Sequence, residues 1–327
     1  MSQQARQLQI LKLFQQQQGA YLSGAEISRV LGVSRTAVWK HIEQLRSLGY
    51  RIEAVTARGY RLHGSPDLLL PAEIRTELET EVIGRELVYF AETDSTNDRA
   101  HALAREGAVE GTVVIAEAQK AGKGRLGRHW VSPPGVNLYA SIVLRPSIAP
   151  RQAPQLTFLS AAAVARAIAE MTRLRPTVKW PNDVLLSGRK VAGLLNELDA
   201  ETERIRYLVL GIGININMTA DQFPADLRYP ASSLALETGS TVSRRLLTCA
   251  LLRQLDKLYA LYLEQGFEPI LQAWQDYFDL TGQQVEVSEQ AGICRGRVLG
   301  LDGEGALLLR LADDSVKRIL AGDVRPL

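Results

Sequence analysis

Apolar positions recur along the first 65 residues with helical spacing and then with strand spacing. Leu8, Leu11 and Phe14 begin a stripe at helical period. The run Ser23 to Glu26 has the capping-box pattern, in which the serine accepts from an early backbone N–H and the glutamate reaches back. The short helix it opens ends near Gly32, a residue suited to a left-handed turn. Ser34 caps the next helix, whose apolar Val38, Ile42 and Leu45 fall at i, i+4 and i+7 and which stops at Gly49. Residues 50–55 then alternate as a strand, 56–59 turn, and 60–62 return. Helix, helix, turn, helix, hairpin is the order of a winged helix-turn-helix.

Residues 64–71 carry prolines and polar residues and read as a linker. Beyond it helices and strands alternate. Strands are expected at 111–115, 137–144 and 204–215, an alanine-rich helix at 155–171, and a hairpin at 184–195 turning at Ser187 and Gly188. A long helix begins at Ser243, keeps Leu247, Leu251, Leu255, Leu258 and Tyr262 in register, and stops at Gly266. From about Thr281 only short strands follow, separated by glycine and aspartate turns, as in a small β-barrel. The expected class is α+β: a winged helix over 1–65, a mixed α/β domain over 66–278 and a small SH3-like barrel over 279–327.

Charge sharpens this division. Residues 1–65 hold nine basic and three acidic side chains, a net of +6, which leaves −4 for the remainder of a chain whose total is +2. A basic domain joined to a mildly acidic one points to nucleic acid at one end and other chemistry elsewhere, although a solvated basic surface would look the same. Cys249 and Cys294 form no disulfide framework, and His41, His63, His101 and His129 show no metal-ligand spacing. No apolar run reaches the ~20 residues of a membrane span and no signal-peptide pattern opens the chain, so a cytoplasmic protein is expected.

Candidate chemistry clusters in the middle of the chain. The heptapeptide GKGRLGR at 122–128 matches the dinucleotide fingerprint GxGxxG, but that fingerprint needs a helix to begin inside the loop. Here Pro133 and Pro134 follow, and no helix can form. What remains is a glycine loop carrying Lys123, Arg125 and Arg128, able to approach and neutralise an anion; alone it would also fit a mobile basic surface loop. The run KWPND at 179–183 ends a strand and offers Lys179, Asn182 and Asp183, the last a possible magnesium ligand. Lys190 sits among apolar neighbours in a strand, a costly position unless it meets an anion. Gly193 lies near Lys190, and Gly211 and Gly213, at the end of another strand, would let a ligand lie against the sheet. Asp94 to Asn97 supply hydroxyls and an amide just before a helix, suited to a neutral polar head group.

Taken in order, Ser95-Thr96-Asn97, Gln119, GKGRLGR, KWPND, Arg189-Lys190 with Gly193, and Gly211 to Asn215 resemble the biotin protein ligase family over essentially the whole chain. The winged helix resembles that of the bifunctional members that also repress biotin synthesis genes. The resemblance implies a two-step reaction: biotin and ATP give biotinyl-AMP, and biotin passes to a lysine of the biotin carboxyl carrier protein. It implies that Ser95, Thr96, Asn97, Gln119, Lys123, Gly124, Arg125, Lys190, Gly193, Gly211 and Gly213 hold biotin. It places Arg125, Arg128, Trp130, Lys179, Asn182 and Asn215 around ATP, and Asn182 and Asp183 around Mg²⁺. Lys190 and Arg125 are the implied catalytic pair. Ser34, Arg35, Thr36, Lys40, Arg58 and Tyr60 are the implied DNA contacts, with a ligand-promoted homodimer on operator DNA. The family loop is usually GRGRxGR; Lys123 keeps the charge of its first arginine but loses the planar fork.

Three other readings compete. A pure transcription regulator could drop Lys190 and Arg125, which are present. A ligase with an idle winged helix sits badly with the +6 segment. A lipoate ligase shares the general fold, but KWPND and the helix-turn-helix favour biotin.

Overall fold

The structure is a computed structural model of the chain and describes residues 3–17, 19–47, 49–64, 67–227, 229–290 and 292–327. The side chain of Leu8 and linker residues 65 and 66 lie outside that description. The chain forms two compact units, Met1–Thr76 and Glu77–Leu327.

The first unit contains α1 (Gln3–Gln16), α2 (Gly24–Leu31), α3 (Arg35–Ser47), β1 (Arg51–Val55), β2 (Gly59–Gly64) and α4 (Pro71–Arg75). Leu11 and Phe14 of α1, Ile27 and Leu31 of α2, and Val38, Ile42 and Leu45 of α3 share one buried core. Ser23 accepts from the Glu26 N–H at 3.1 Å and Ser34 from the Ala37 N–H at 3.2 Å, so both helices start where their caps are. Gly32 closes α2 at φ 63°. At the hairpin, Gly59 has φ 105°, and a Cβ there would lie 2.2 Å from the Leu22 carbonyl oxygen; only glycine fits. The unit runs past the expected linker, because Leu70 packs on its core and Tyr50 donates to Glu73 Oε1 at 3.0 Å.

The second unit is built on a seven-stranded sheet. Its strands are β3 (Leu87–Phe90), β4 (Val113–Ala116), β5 (Leu138–Leu144), β6 (Thr177–Lys179), β7 (Asp183–Leu186), β8 (Arg189–Ala200) and β9 (Ile205–Ile214). Their order is β3-β4-β5-β9-β8-β7-β6, parallel between β3 and β4 and antiparallel elsewhere. Helix α5 (Thr96–Arg105) packs on β4, β5 and β9. Helix α6 (Gln155–Thr172), with six alanines in its middle, packs closely on the sheet and on the later helices. The later helices are α7 (Leu234–Thr238), α8 (Arg244–Gln265) and α9 (Glu268–Gln275), of which α8 and α9 are the two that α6 packs on. Ser243 caps α8 and Gly266 ends it. Ser187 and Gly188, at φ 49° and 74°, join β7 to β8 with the two left-handed residues a tight hairpin favours.

A five-stranded antiparallel sheet completes the unit: β10 (Gln284–Glu289), β11 (Gly292–Leu301), β12 (Leu307–Arg310), β13 (Val316–Ile319) and β14 (Asp323–Pro326), in the order β13-β12-β11-β10-β14. It is tied to the large sheet where Trp180 Nε1 donates to the Gly305 carbonyl at 3.1 Å. Among the described residues no helix is long and apolar enough to cross a membrane.

Candidate active site and nucleic-acid interface

Two adjoining cavities open over the large sheet. The first is lined by Ser95, Thr96, Asn97, Gln119, Lys123, Gly124, Arg125, Lys190, Gly193, Gly211 and Gly213 together with Trp130 and Asn182, so all eleven residues expected to hold biotin meet in one place. Ser95 precedes α5 but spends no side-chain bond on capping it, which leaves its buried hydroxyl to the cavity. Gln119 is held by its neighbours: the Thr96 N–H and Oγ1 donate to its Oε1 at 2.8 and 3.1 Å, and its Nε2 donates to Ser132 Oγ at 3.0 Å. An amide fixed at both ends presents a set pattern of donors and acceptors.

The floor of this cavity requires glycine. Gly193 and Gly213 are direct partners across β8 and β9. A Cβ on Gly213 would lie 2.6 Å from Trp130 Cε2, and one on Gly193 would lie 2.8 Å from Trp130 Cζ3, so the indole rests on bare backbone. A Cβ on Gly211 would meet Asn97 Oδ1 at 2.3 Å. Asn97 itself is committed to the fold: its Nδ2 donates to Glu197 Oε2 at 2.7 Å, and Ser141 Oγ donates to its Oδ1 at 2.6 Å. The nearby His101 imidazole, 3.7 Å away, and next the hydrogen bond from Asn97 outweigh burial and hold the Glu197 carboxyl at about 2.

The glycine loop forms the outer wall. No helix follows it, only a short turn at Arg125–Gly127 in which Leu126 has φ 58° and is 79% exposed. Lys123 forms an ion pair with Asp98 of α5, and that hydrogen bond raises its pKa. Arg125 Nη1 donates to Asn182 Oδ1 at 2.9 Å, and Asn182 Nδ2 donates to the Leu194 carbonyl at 2.8 Å. Burial lowers the pKa of Arg125, and the carboxylates of Asp183 and Asp323 oppose the shift. Lys190, on β8, places Nζ 2.6 Å from Asp183 Oδ1 and 5.4 Å from the centre of the Trp130 ring.

The second cavity is lined by Arg128, Asp183, Asn215, Met218, Tyr229 and Asp323, and shares Gly124, Arg125, Trp130, Asn182 and Lys190 with the first. Of the residues expected around ATP, Arg125, Arg128, Trp130, Asn182 and Asn215 line it. Lys179 is buried behind that wall, 3.4 Å from Asp323 Oδ1 and 3.8 Å from the centre of the Tyr229 ring. Burial lowers its pKa, against the attraction of Asp183 and Asp323. Arg128 Nη2 donates to Asp323 Oδ2 at 3.1 Å. Burial raises the pKa of Asp323, but Lys179 and Arg128 more than offset it and the net shift is downward. Among the described residues no three His, Cys, Asp or Glu side chains form a metal cluster.

Asp323 and Tyr229 were not anticipated from the sequence. Asp323 opens the last strand of the small sheet and reaches the site only through the fold. Tyr229 lies in a segment with no helix or strand period; the chain there runs beside β8, bonding Lys190 N–H to the Pro230 carbonyl at 2.9 Å.

In the first unit, Ser34, Arg35, Thr36 and Lys40 are exposed along the start of α3, and Arg58 is exposed at the hairpin, 5.7 Å above the Tyr21 ring. Tyr60 is placed differently from an exposed wing contact. It is half-buried against the core, and its backbone exchanges bonds of 2.8 and 2.9 Å with Leu22, because the wing closes onto the segment before α2.

Comparison with known proteins accords with this geometry. Residues 6–61 match a helix-turn-helix domain model, 89–215 the biotin/lipoate A/B protein ligase family, and 280–325 the biotin protein ligase C-terminal domain. The bifunctional ligase/repressor BirA of Bacillus subtilis (strain 168) is 42% identical over 96% of this chain and 97% of its own length. The protein of that name from Escherichia coli (strain K12) is 33% identical over 94% and 93%. A biotin protein ligase from Aquifex aeolicus, solved in complex with biotin and ATP, superposes with a TM-score of 0.64 and 29% identity over 74% of this chain and 99% of that one. The chain therefore belongs to the biotin/lipoate A/B protein ligase family, in its bifunctional ligase/repressor branch.

Proposed function

We propose that the second unit activates biotin with ATP to biotinyl-5′-AMP and transfers biotin to a lysine of the biotin carboxyl carrier protein. The first unit binds operator DNA, so that the same chain represses biotin synthesis genes in response to biotin. The observation that carries the reading is the shared wall: Lys190 and Arg125 belong to both cavities. Two anions that must react need a fixed cation between them.

In this reading Ser95, Thr96 and Gln119 bind the ureido head of biotin over the glycine floor, and Asn97 braces that floor. The biotin carboxylate meets the α-phosphate beside Lys190. A carboxylate oxygen attacks the α-phosphorus, the bond to the bridging oxygen breaks, and pyrophosphate leaves with the electron pair. Lys190 neutralises charge developing at phosphorus, and Arg125 holds the adenylate in place. In the second step the neutral amine of the acceptor lysine attacks the mixed-anhydride carbonyl. The C–O bond breaks, AMP leaves, and the amine loses a proton. No protein nucleophile is needed.

Arg128, Trp130, Asn215 and the Lys179–Asp323 pair form the nucleotide side. Mg²⁺ would neutralise the phosphates. One carboxylate with phosphate oxygens and waters suits that ion, and Asp183 offers the carboxylate. Asn182 fits it less well, because its Oδ1 already accepts from Arg125. Functionally the chain divides into a DNA-binding part at 1–65, a catalytic part at 66–278 and a C-terminal part at 279–327, with 66–76 as connector. A single winged helix makes few phosphate contacts, which supports a ligand-promoted homodimer on a palindromic operator. A cytoplasmic location follows from these partners.

The test is direct. Labelled biotin, ATP and Mg²⁺ incubated with the protein yield labelled biotinyl-AMP, and added carrier protein takes up the label. Bound biotin without adenylate formation would reduce the second unit to a ligand sensor.

A further inference from the structure

Helix α3 places its apolar residues on one stripe, with a single exception. Val38, Ile42 and Leu45 are buried within the core of the first unit. Trp39 lies one position off that stripe and is 53% exposed. Among the described residues it is the only aromatic side chain in the set of exposed large hydrophobics. Scattered surface leucines and valines need no account, but an exposed tryptophan forgoes more apolar burial than any other side chain. The other three tryptophans of the chain are placed otherwise: Trp180 and Trp274 are fully buried, and Trp130 lies on the glycine floor.

The surroundings of Trp39 are specific. Arg35 and Thr36 lie one turn before it, on the same face by the i, i+3 and i, i+4 rule, and Lys40 follows it. All three are exposed. The face is therefore an apolar plate flanked by two cations, confined to the first two turns of α3. Those turns are the part of a recognition helix that reaches base edges in a major groove. In that groove the one apolar feature is the C5-methyl group of thymine, and side chains read it by apolar contact.

We infer that Trp39 is a specificity-determining residue that packs on a thymine methyl in the major groove, with Arg35 and Lys40 steering the helix onto the phosphates and flanking bases. The inference rests on the reading of the first unit as DNA-binding and adds what that reading lacks, an apolar base contact.

The experiment uses the full chain with biotin, ATP and Mg²⁺. Wild-type protein first selects its preferred duplex from a randomised library. Binding of wild type, Trp39→Ala and Trp39→Phe is then measured on that duplex, on a scrambled one, and on copies in which each thymine in turn is replaced by deoxyuridine. Trp39→Ala should weaken binding to the selected duplex about tenfold, in keeping with the loss of one base contact, and leave the scrambled duplex unchanged. Trp39→Phe should restore most of the loss. At one thymine per half-site, deoxyuridine should weaken wild type several-fold and have no further effect on Trp39→Ala. An equal loss on selected and scrambled duplexes would overturn the inference, as would deoxyuridine effects that add to those of Trp39→Ala. Failure of wild type to enrich any duplex would overturn both this inference and the DNA-binding reading. Enrichment by wild type with equal binding of wild type and Trp39→Ala to the selected duplex would overturn the inference alone. Unchanged thermal unfolding of Trp39→Ala controls for folding.

Discussion

Lys190 Nζ and Asp183 Oδ1 lie 2.6 Å apart on the neighbouring strands β8 and β7, yet their angles miss hydrogen-bond geometry. The lysine is held by charge, not by a directed bond, and can turn toward an anion that outcompetes the carboxylate. Lys190→Ala should slow adenylate synthesis by about 10²–10³-fold, the cost of removing one preorganised electrostatic contact. Biotin binding should weaken much less. Single-turnover pyrophosphate release measures the first and equilibrium dialysis the second. A normal single-turnover rate would remove Lys190 from the chemistry.

Arg125 has a different task. Its bond to Asn182 closes the glycine loop against the KWPND turn, across the boundary of the two cavities. Arg125→Gly should leave adenylate synthesis within about tenfold of wild type, the value of one charge-assisted hydrogen bond, but let the adenylate escape. Free biotinyl-AMP should then accumulate and label lysines on bystander proteins. Labelling that stays confined to the carrier would contradict this division of labour.

Asp323 ties the C-terminal sheet to the nucleotide cavity by accepting from both Lys179 and Arg128. Its loss leaves two cations without their shared counter-charge. Asp323→Ala should raise KM for ATP roughly tenfold, equivalent to about 1.4 kcal/mol, with biotin affinity unchanged. A change in biotin affinity as large as that for ATP would show a general folding defect.

What could be read in advance follows from how local each signal is. Caps at Ser23, Ser34 and Ser243 and stops at Gly32 and Gly266 act within one turn, so the helix ends were legible. The glycine floor was legible because Gly193, Gly211 and Gly213 have no other reason to interrupt apolar strands. Strand β6 has three residues and was legible only as the strand that the KWPND run ends, whereas β14, which ends in proline, has too little period to stand out. The extension of the first compact unit to Thr76 has no local signal, because a tertiary bond, Tyr50 to Glu73, keeps α4 with it. Asp323 and Tyr229 join the site over distances along the chain that no spacing rule spans. Tyr60 shows the converse: its place in the hairpin was legible, but not that the wing would fold it inward.

Glu197 predicts a pH dependence. Its carboxyl is held at about 2, against an ordinary value of 4.5, chiefly by the His101 imidazole 3.7 Å away. A carboxylate with a lowered folded-state pKa contributes stability above its unfolded pKa and loses it as pH falls through the folded one. The side chain is about a third exposed, so screening reduces the gain to about 1–2 kcal/mol. Glu197→Gln should therefore lower the melting temperature by about 2–6 °C at pH 7. The gap between variant and wild type should narrow between pH 4.5 and pH 2. A gap that is constant over that window would place the effect in packing.

The exposed cations of the first unit should separate by salt and by sequence. Arg35 stands at the start of α3, where a side chain reaches base edges, and Arg58 stands at the hairpin, where it meets backbone phosphates. Arg35→Ala should weaken binding to the preferred duplex by about 1–3 kcal/mol while scarcely changing a scrambled one. Arg58→Ala should weaken both equally and reduce the slope of log affinity against log salt by about one unit, because one fewer counterion is released. Neither change touches the second unit's cavities, so adenylate synthesis should be unaffected by both. If dimerisation on DNA depends on the adenylate, omission of ATP should weaken all three proteins on the preferred duplex by the same factor. Titrations at two salt concentrations, with and without ATP, decide the matter. Equal salt slopes for wild type and Arg58→Ala would take the hairpin off the DNA.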